Sequence, residues 1–345
     1  MGMAEPLRVL IGSAGRRVYL LEWFARAFAE QGIHGEVHVT DADDGSAAYS
    51  AADHPHLVPR YTDPAYPSAM IGLMDELKPA LFFSVNDHEL ALLAQTGLAE
   101  RFRATGTMTL SLRAEIHAAV HDKLAMFHAL SERGIPTVQT ALLSDAEAVA
   151  SIAHRAGHVI IKDRYGSGSS GLQLVAADDL DLAVRWLERG GATADTLVVQ
   201  PALPGAEFGI DIVAPLTDGA HAIAVLARRK VRMRSGETDQ AVSVSPAPFE
   251  ATAAAIAEWT GHRGSIDVDL MEDADGALRV IDINPRFGGG YPFSHLAGAD
   301  VPASFVAQLR GIRGERLDAF HAYTPGRRSS KHEAIVGVRP EGAAE

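Results

Sequence analysis

The sequence predicts an α/β protein: a doubly wound parallel sheet over the first third, then an α+β module built in two parts. Three observations predict it. Apolar runs at 7–11, 36–40 and 78–85 each end in a polar loop, and the first and last lead into helix-period patterns. That strand–loop–helix repetition marks a parallel sheet covered on both faces. Two strand-like runs then flank a Gly/Ser stretch at 165–171, and two more, at 264–271 and 277–284, meet across an Asp-Gly turn signal. The expected divisions are 1–115 for the doubly wound domain, 116–200 for a smaller part carrying the Gly/Ser loop, and 201–345 for a larger part.

Composition bounds the rest. The 345 residues suffice for two or three domains, and 47% hydrophobic residues is ordinary for a buried core. A formal charge of −13 argues against a nucleic-acid partner, which calls for a basic footprint. No cysteine is present, so disulfides and thiol catalysis are excluded. The first residues show no basic-then-apolar leader, Pro6 breaks the myristoylation pattern, and no apolar run is long enough to cross a bilayer. A cytoplasmic protein without a membrane partner is expected.

Along the chain, a strand at 7–11 leads through Gly12 and Gly15 into a helix from Val18 to about Gln31. A strand at 36–40 ends on Asp41, and one at 78–85 ends at Asn86-Asp87-His88-Glu89 before a further helix. A helix at 122–133 stops at Gly134 and Pro136. The strands around the Gly/Ser loop, a helix at 179–188, a strand at 196–200, helices near 249–260 and 301–311, and a weakly patterned tail at 312–345 complete the reading.

The acidic hairpin carries the sharpest chemical signal. Residues two apart on a strand share a face, so Asp282 and Asn284 point one way, and Asp269 lies with Asp267 on one face of its strand. Paired, the strands bring Asp269, Asp282 and Asn284 together as hard oxygen donors, which suits magnesium shared with nucleotide phosphates. The plain alternative is a hairpin with a solvated acidic face. Lys162 ends an apolar strand just before Gly166, Ser167, Gly168, Ser169 and Gly171. Glycines admit phosphate oxygens close to backbone N–H groups, and a lysine supplies charge; the alternative is a hairpin turn. Lys123 opens a helix and, by itself, reads as an exposed lysine. Gln200 to Glu207 (Val-Gln-Pro-Ala-Leu-Pro-Gly-Ala-Glu from Val199) is an apolar strand entering a bend, able to hold a base by its backbone with Glu207 on a ribose, or simply solvated.

These pieces, in this order, resemble the ATP-grasp superfamily, in its carbamoyl-phosphate-synthase-like and amino-acid-ligase branch. The resemblance covers nearly the whole chain and implies a pre-ATP-grasp domain followed by a two-part ATP-grasp domain. It implies ATP and Mg2+ as cofactors, with Mn2+ as an alternative ion. Lys123 and Lys162 would meet the phosphates under a flap at 166–171. Gln200 and Leu203 would hold adenine through the backbone, and Glu207 the ribose. Asp269, Asp282 and Asn284 match the metal positions and Arg286 the catalytic arginine, with Lys162 assisting. Two departures stand out: both acids are Asp where Glu or Gln is commoner, and Pro201 stands where many relatives carry Glu. The chemistry implied is activation of a small carboxylate, such as an amino acid, as an acyl phosphate that an amine then attacks.

Substrate contacts are more open. On a strand, Arg228, Lys230, Arg232 and Arg234 would share a face, which would suit a carboxylate substrate or pair with the chain's own acids. Gly289 and Gly290 would admit substrate to the backbone or form a turn. Ser13, Arg16 and Arg17 would contact substrate or solvate a helix start, and Asp87 and Glu89 read as a helix N-cap and first-turn acid. His117 and His121 are spaced H-x-x-x-H and read as surface or packing residues. A homodimer is compatible with the resemblance. The competing functions are a carbamoyl-phosphate-type kinase, an NAD-dependent oxidoreductase suggested by Gly12, Gly15 and Asp41, and a nucleotide-binding regulator without catalysis. Arg17, where a third Gly or Ala is expected, counts against the oxidoreductase.

Overall fold

The computed structural model describes residues 5–165, 172–217 and 221–338. The N-terminal third runs β1 (Leu7–Gly12), α1 (Val18–Glu30), β2 (Gly35–Asp41), α2 (Ala47–Ala51), β3 (His54–Leu57), α3 (Tyr66–Leu77), β4 (Leu81–Ser84), α4 (Asp87–Gln95), α5 (Leu98–Ala104) and β5 (Met108–Leu110). Its strands form one parallel sheet in the order β3-β2-β1-β4-β5. The strands read as continuous apolar runs because both faces are covered. Val9 and Ile11 pack with Phe24 of α1 on one face, and Leu10 and Phe82 pack with Met70 and Phe102 on the other. Strand order reverses beside β1, so a crevice opens at the C-terminal ends of β1 and β4.

Two local details differ from expectation. β4 begins at Leu81 rather than 78, because Lys78 caps α3 in the left-handed region at φ 45° and Pro79 follows. The cap of α4 is Asn86, whose Oδ1 accepts from the His88 and Glu89 amides, and this releases Asp87 for another partner. Asp41 is occupied within the first loop, accepting from the Gly15 amide at 3.1 Å and the Ser46 hydroxyl at 2.8 Å. An acid already spent on the loop is poorly placed to grip a dinucleotide ribose.

The middle of the chain holds α6 (Ala114–His121), α7 (Lys123–Glu132), β6 (Ala141–Leu142), α8 (Ala146–Ala156), β7 (His158–Asp163), β8 (Gln173–Ala176), α9 (Leu180–Arg189) and β9 (Leu197–Pro201). Its antiparallel sheet has the order β6-β9-β7-β8. Asp122 caps α7 and also takes both Arg164 nitrogens, at 2.9 and 2.6 Å, tying the start of α7 to the end of β7.

The last part is β10 (Glu207–Ala214), β11 (Ala224–Arg234), β12 (Glu237–Val244), α10 (Glu250–Thr260), β13 (Gly264–Glu272), β14 (Leu278–Asn284), α11 (Tyr291–Leu296), α12 (Val301–Leu309), α13 (Asp318–His321) and β15 (Arg328–Ser330). Its antiparallel sheet has the order β14-β13-β10-β11-β12-β15. The weakly patterned tail thus supplies an edge strand, because β12 offers it an unpaired edge. Phe305 and Val306 of α12 share a core with Leu20 and Phe24 of α1, so the first and last parts pack together.

One buried histidine makes a testable contribution to stability. His262 is buried, with Nε2 donating to the Ile212 carbonyl at 3.1 Å, and burial lowers its pKa to about 4. The unfolded value is about 6.5. The folded pKa is depressed, so the contribution is complete above pH 6.5 and is lost as pH falls toward 4. The stability advantage of the wild type over His262→Gln should shrink by about 2 kcal/mol between pH 7 and pH 5. Urea midpoints at the two pH values measure it; a constant gap would refute it.

Candidate functional site

The hairpin of β13 and β14 pairs as expected, with Asp269 opposite Asp282 and Asp267 opposite Asn284. Alternation aims these side chains at the side where β7, β9 and α7 come in. There a cavity of about 250 Å3 is bounded by Lys123, Lys162, Gln200, Leu203, Glu207, Asp269 and Asp282. Val138, Ile160, Met233, Met271 and Ile281 give it apolar walls. One chamber therefore offers apolar walls, the two ammonium groups of Lys123 and Lys162, and the carboxylates of Glu207, Asp269 and Asp282. That is the chemistry of a base attached to phosphates and a cation.

Burial sets the charge of each group. Lys162 ends β7 with its Nζ 3.5 Å from the Ile281 carbonyl, and burial lowers its pKa to about 8, with Asp282 opposing. Asp269 is pushed up to about 7 by burial, reinforced by Asp267 and Glu207 and opposed by Lys230. The Lys230 ammonium sits 2.8 Å from Asp269 and 2.7 Å from Glu207. Burial works against its charge, but the two carboxylates win and raise its pKa. Gln200 spends its side-chain amide on the Thr140 hydroxyl at 2.8 Å, which leaves its backbone to face a ligand.

Arg286 lies just past β14. Its guanidinium forks onto Asp87, Nε to Oδ1 at 2.7 Å and Nη2 to Oδ2 at 2.8 Å, and Nη2 also donates to Asn284 Oδ1 at 3.2 Å. Burial opposes its charge, yet Asp87 holds its pKa above the usual arginine value. Asp87 opens α4 in the N-terminal third, so this arginine is positioned by two distant parts of the chain. A small second cavity beside it is lined by Asp87, His117, His121, Lys123, Asp282 and Asn284.

Arg232 and Arg234 are not brought to this site, contrary to the expectation of one shared basic face. Irregularities in β11 at Lys230/Arg232 and Arg232/Met233 break the alternation. Arg232 pairs with Asp239 and Arg234 with Glu333, at 61% and 67% exposure, while Met233 turns to the cavity. Arg228 is buried among Asp211 and Asp267 instead. Gly289 lies beside the Arg17 guanidinium and, on the same side, the ammonium of Lys331 just beyond β15. Gly290 abuts Arg228, where any Cβ would overlap the guanidinium. Gly166, Ser167, Gly168, Ser169 and Gly171 lie outside the described residues.

Sequence reasoning missed Asp87 as the partner of Arg286, Lys230 as the partner of Asp269 and Glu207, and Lys331. The one available signal was Asn86, as good a cap as the Asp87 beside it. Nothing local marks a pairing across 199 residues.

The donor set suits a hard divalent ion. Asp269, Asp282 and Asn284 offer oxygen only, and the buried Asp269 carboxyl gains from a nearby cation. Among the described residues, no three or more His, Cys, Asp or Glu side chains group to hold a metal by themselves, so Asn284 and nucleotide phosphates would have to share the coordination.

Two family models match the chain. Residues 9–110 match the PylC-like N-terminal domain, and residues 193–328 match the ATP-grasp domain found in the biosynthetic pathway with the Ter operon. The chain thus carries an ATP-grasp domain behind a PylC-like N-terminal domain. A phosphoribosylamine–glycine ligase from Xanthomonas axonopodis pv. citri (strain 306) is 24% identical over 360 residues, spanning 97% of this chain and 79% of that protein. Among solved structures, a biotin carboxylase complexed with β,γ-ATP from Campylobacter jejuni superposes with a TM-score of 0.69 at 17% identity, covering 94% of this chain and 74% of that one. The biotin carboxylase domain dimer of a 2-oxoglutarate carboxylase from Hydrogenobacter thermophilus, bound to MgADP and bicarbonate, gives 0.67 at 17% identity, covering 90% and 70%. The α/β fold, an N-terminal domain followed by an ATP-grasp domain, is shared with these proteins. Among the described residues no helix is long and apolar enough to cross a membrane.

Proposed function

We propose that this protein is an ATP-dependent carboxylate–amine ligase of the cytoplasm, converting a small carboxylate, of amino-acid type, to an acyl phosphate and joining it to an amine. The observation that supports it most is the single chamber holding Lys123, Lys162, Asp269 and Asp282 against apolar walls, with Arg286 just outside. The relatives are ligases and carboxylases, and one such domain was solved with MgADP and bicarbonate.

The roles follow from position. The apolar walls take the base, the backbone at Gln200 and Leu203 contacts its edge, and Glu207 faces the ribose. Lys123 and Lys162 offset phosphate charge. Asp269, Asp282 and Asn284 would hold magnesium, which, when bound, supplies charge neutralisation at the phosphates. The γ-phosphoryl passes to a carboxylate oxygen and ADP leaves. The amine nitrogen then bonds to the acyl carbon, the bond from that carbon to the phosphate oxygen breaks, and phosphate departs while the amine gives up a proton. Arg286 stabilises the oxygens that gain charge in both steps. Arg17 and Lys331, together beside Gly289, offer cationic contacts to the acid's free end. A homodimer is the assembly to test first, since the similar carboxylase domain forms a dimer.

Lys162→Ala should weaken Mg-ATP binding about tenfold to a hundredfold, the range for losing a hydrogen bond to a charged group. Titration calorimetry measures it, and unchanged affinity would remove Lys162 from the nucleotide site. A screen of carboxylate–amine pairs with Mg-ATP, read by phosphate release and product mass, tests the activity itself. ATP binding without any joined product would leave a nucleotide-binding regulator.

A further inference from the structure

The small cavity beside Arg286 has a feature that ATP and the carboxylate do not use. Its volume is about 20 Å3, and it lies where α4, α6 and the end of β14 meet. About 10–15 Å3 admits one water-sized group, so one nitrogen or oxygen with its hydrogens fits. One wall is His117, only 3% exposed, with neither ring nitrogen bonded. The H-x-x-x-H pair is therefore not a surface feature: His117 stacks on His121 one helical turn away, ring centroids 5.9 Å apart, and both rings line the cavity. Burying an unpaired polar group costs about 1–3 kcal/mol, so the position calls for a partner.

The other polar walls select that partner. Asp87 and Asn284 accept from Arg286 but retain further lone pairs. An anion there would face the two carboxylates of Asp87 and Asp282 with Lys123 alone of the lining to offset them, and an alkyl group would leave the polar walls unpaired. A neutral amine nitrogen meets all of them, because its N–H groups donate to Asp87, Asn284 or a ring nitrogen of His117 while its lone pair accepts from Lys123, which also lines the cavity. We propose that this cavity is the amine subsite, holding the nitrogen of ammonia or a primary amine against His117, beside Asp87 and Asn284. The assignment rests on the ligase reading and places the nucleophile next to Arg286, which that reading puts at the acyl carbon.

The test uses the full chain labelled with 15N in its histidine rings and titrated with ammonium chloride or tetramethylammonium chloride at fixed pH and ionic strength. One ring signal, missing from His117→Leu, should shift and saturate with ammonium and stay still with tetramethylammonium. No shift, or equal shifts with both salts, overturns the proposal and leaves water as the occupant. In the joining reaction with ammonia or hydroxylamine, His117→Leu should raise KM for the nucleophile about tenfold and leave KM for ATP unchanged, with His117→Gln recovering part of the loss. Equal increases in both constants overturn it. His117→Gln also serves if the leucine variant fails to fold. The ring titration needs no carboxylate, so failure of the ligase reading shows separately, as absent phosphate release.

Discussion

Replacing Arg286 by lysine is expected to lower ATP-driven product formation by about two to three orders of magnitude, the usual loss for one donor aimed at developing charge, with nucleotide affinity nearly unchanged. The guanidinium meets the two oxygens of Asp87 and the amide oxygen of Asn284 at once. An ammonium is a point charge and cannot reproduce that fork. Lysine still leaves a cation near Asp87, so the fold should survive. Alanine would leave the partly buried Asp87 carboxylate without its cation, confusing stability with catalysis. Product mass and phosphate release with Mg-ATP give the rate, and calorimetry gives the affinity. A loss of less than about tenfold, well short of that range, would take Arg286 out of the chemistry.

Arg228→Met should destabilise the protein by about 3–5 kcal/mol, because it leaves two buried carboxylates without their cation. Arg228 is 1% exposed and reaches Asp211 at 2.6 Å on one side and Asp267 on the other. The space for it is made by glycine: opposite it on β10 a Cβ at Gly209 would sit 2.9 Å from its Nη2, and one at Gly290 would overlap it. Asp211, already pushed up to about 6 by burial, would take up a proton in the variant. The damage should reach the site. Asp267 lies opposite Asn284 and directly beneath Gly288, so an unanchored Asp267 loosens the turn that follows Arg286. Urea unfolding followed by Trp259, on α10 in the core of the same sheet, measures the loss. The exposed neighbour Arg229 provides the control, since Arg229→Met should change stability by no more than about 0.5 kcal/mol. Equal effects of the two substitutions would show that the triad carries no stability.

Much of the site was legible because it is built from local patterns. Two-residue periodicity and an Asp-Gly turn sufficed to pair Asp269 with Asp282, and the pairing observed is that one. An apolar run ending in lysine correctly placed Lys162 at the end of β7. The same periodicity misled on Arg232 and Arg234, because the two irregularities in β11 leave no mark in composition. His117 and His121 were underestimated for a related reason. A histidine four residues from another says how the rings stack on a helix and nothing about what the helix packs against.

The amino-acid sequence alone determined the layered α/β fold, the order of its parts, and the acidic hairpin with its lysines, since each follows from side-chain periodicity and turn chemistry within about twenty residues. Only the tertiary structure decided that Asp87 holds Arg286, that Lys230 neutralises Asp269, and that His117 walls a small polar cavity. Those contacts join residues far apart in the chain, and their strength comes from shared burial, a property that exists only once the sheets have packed.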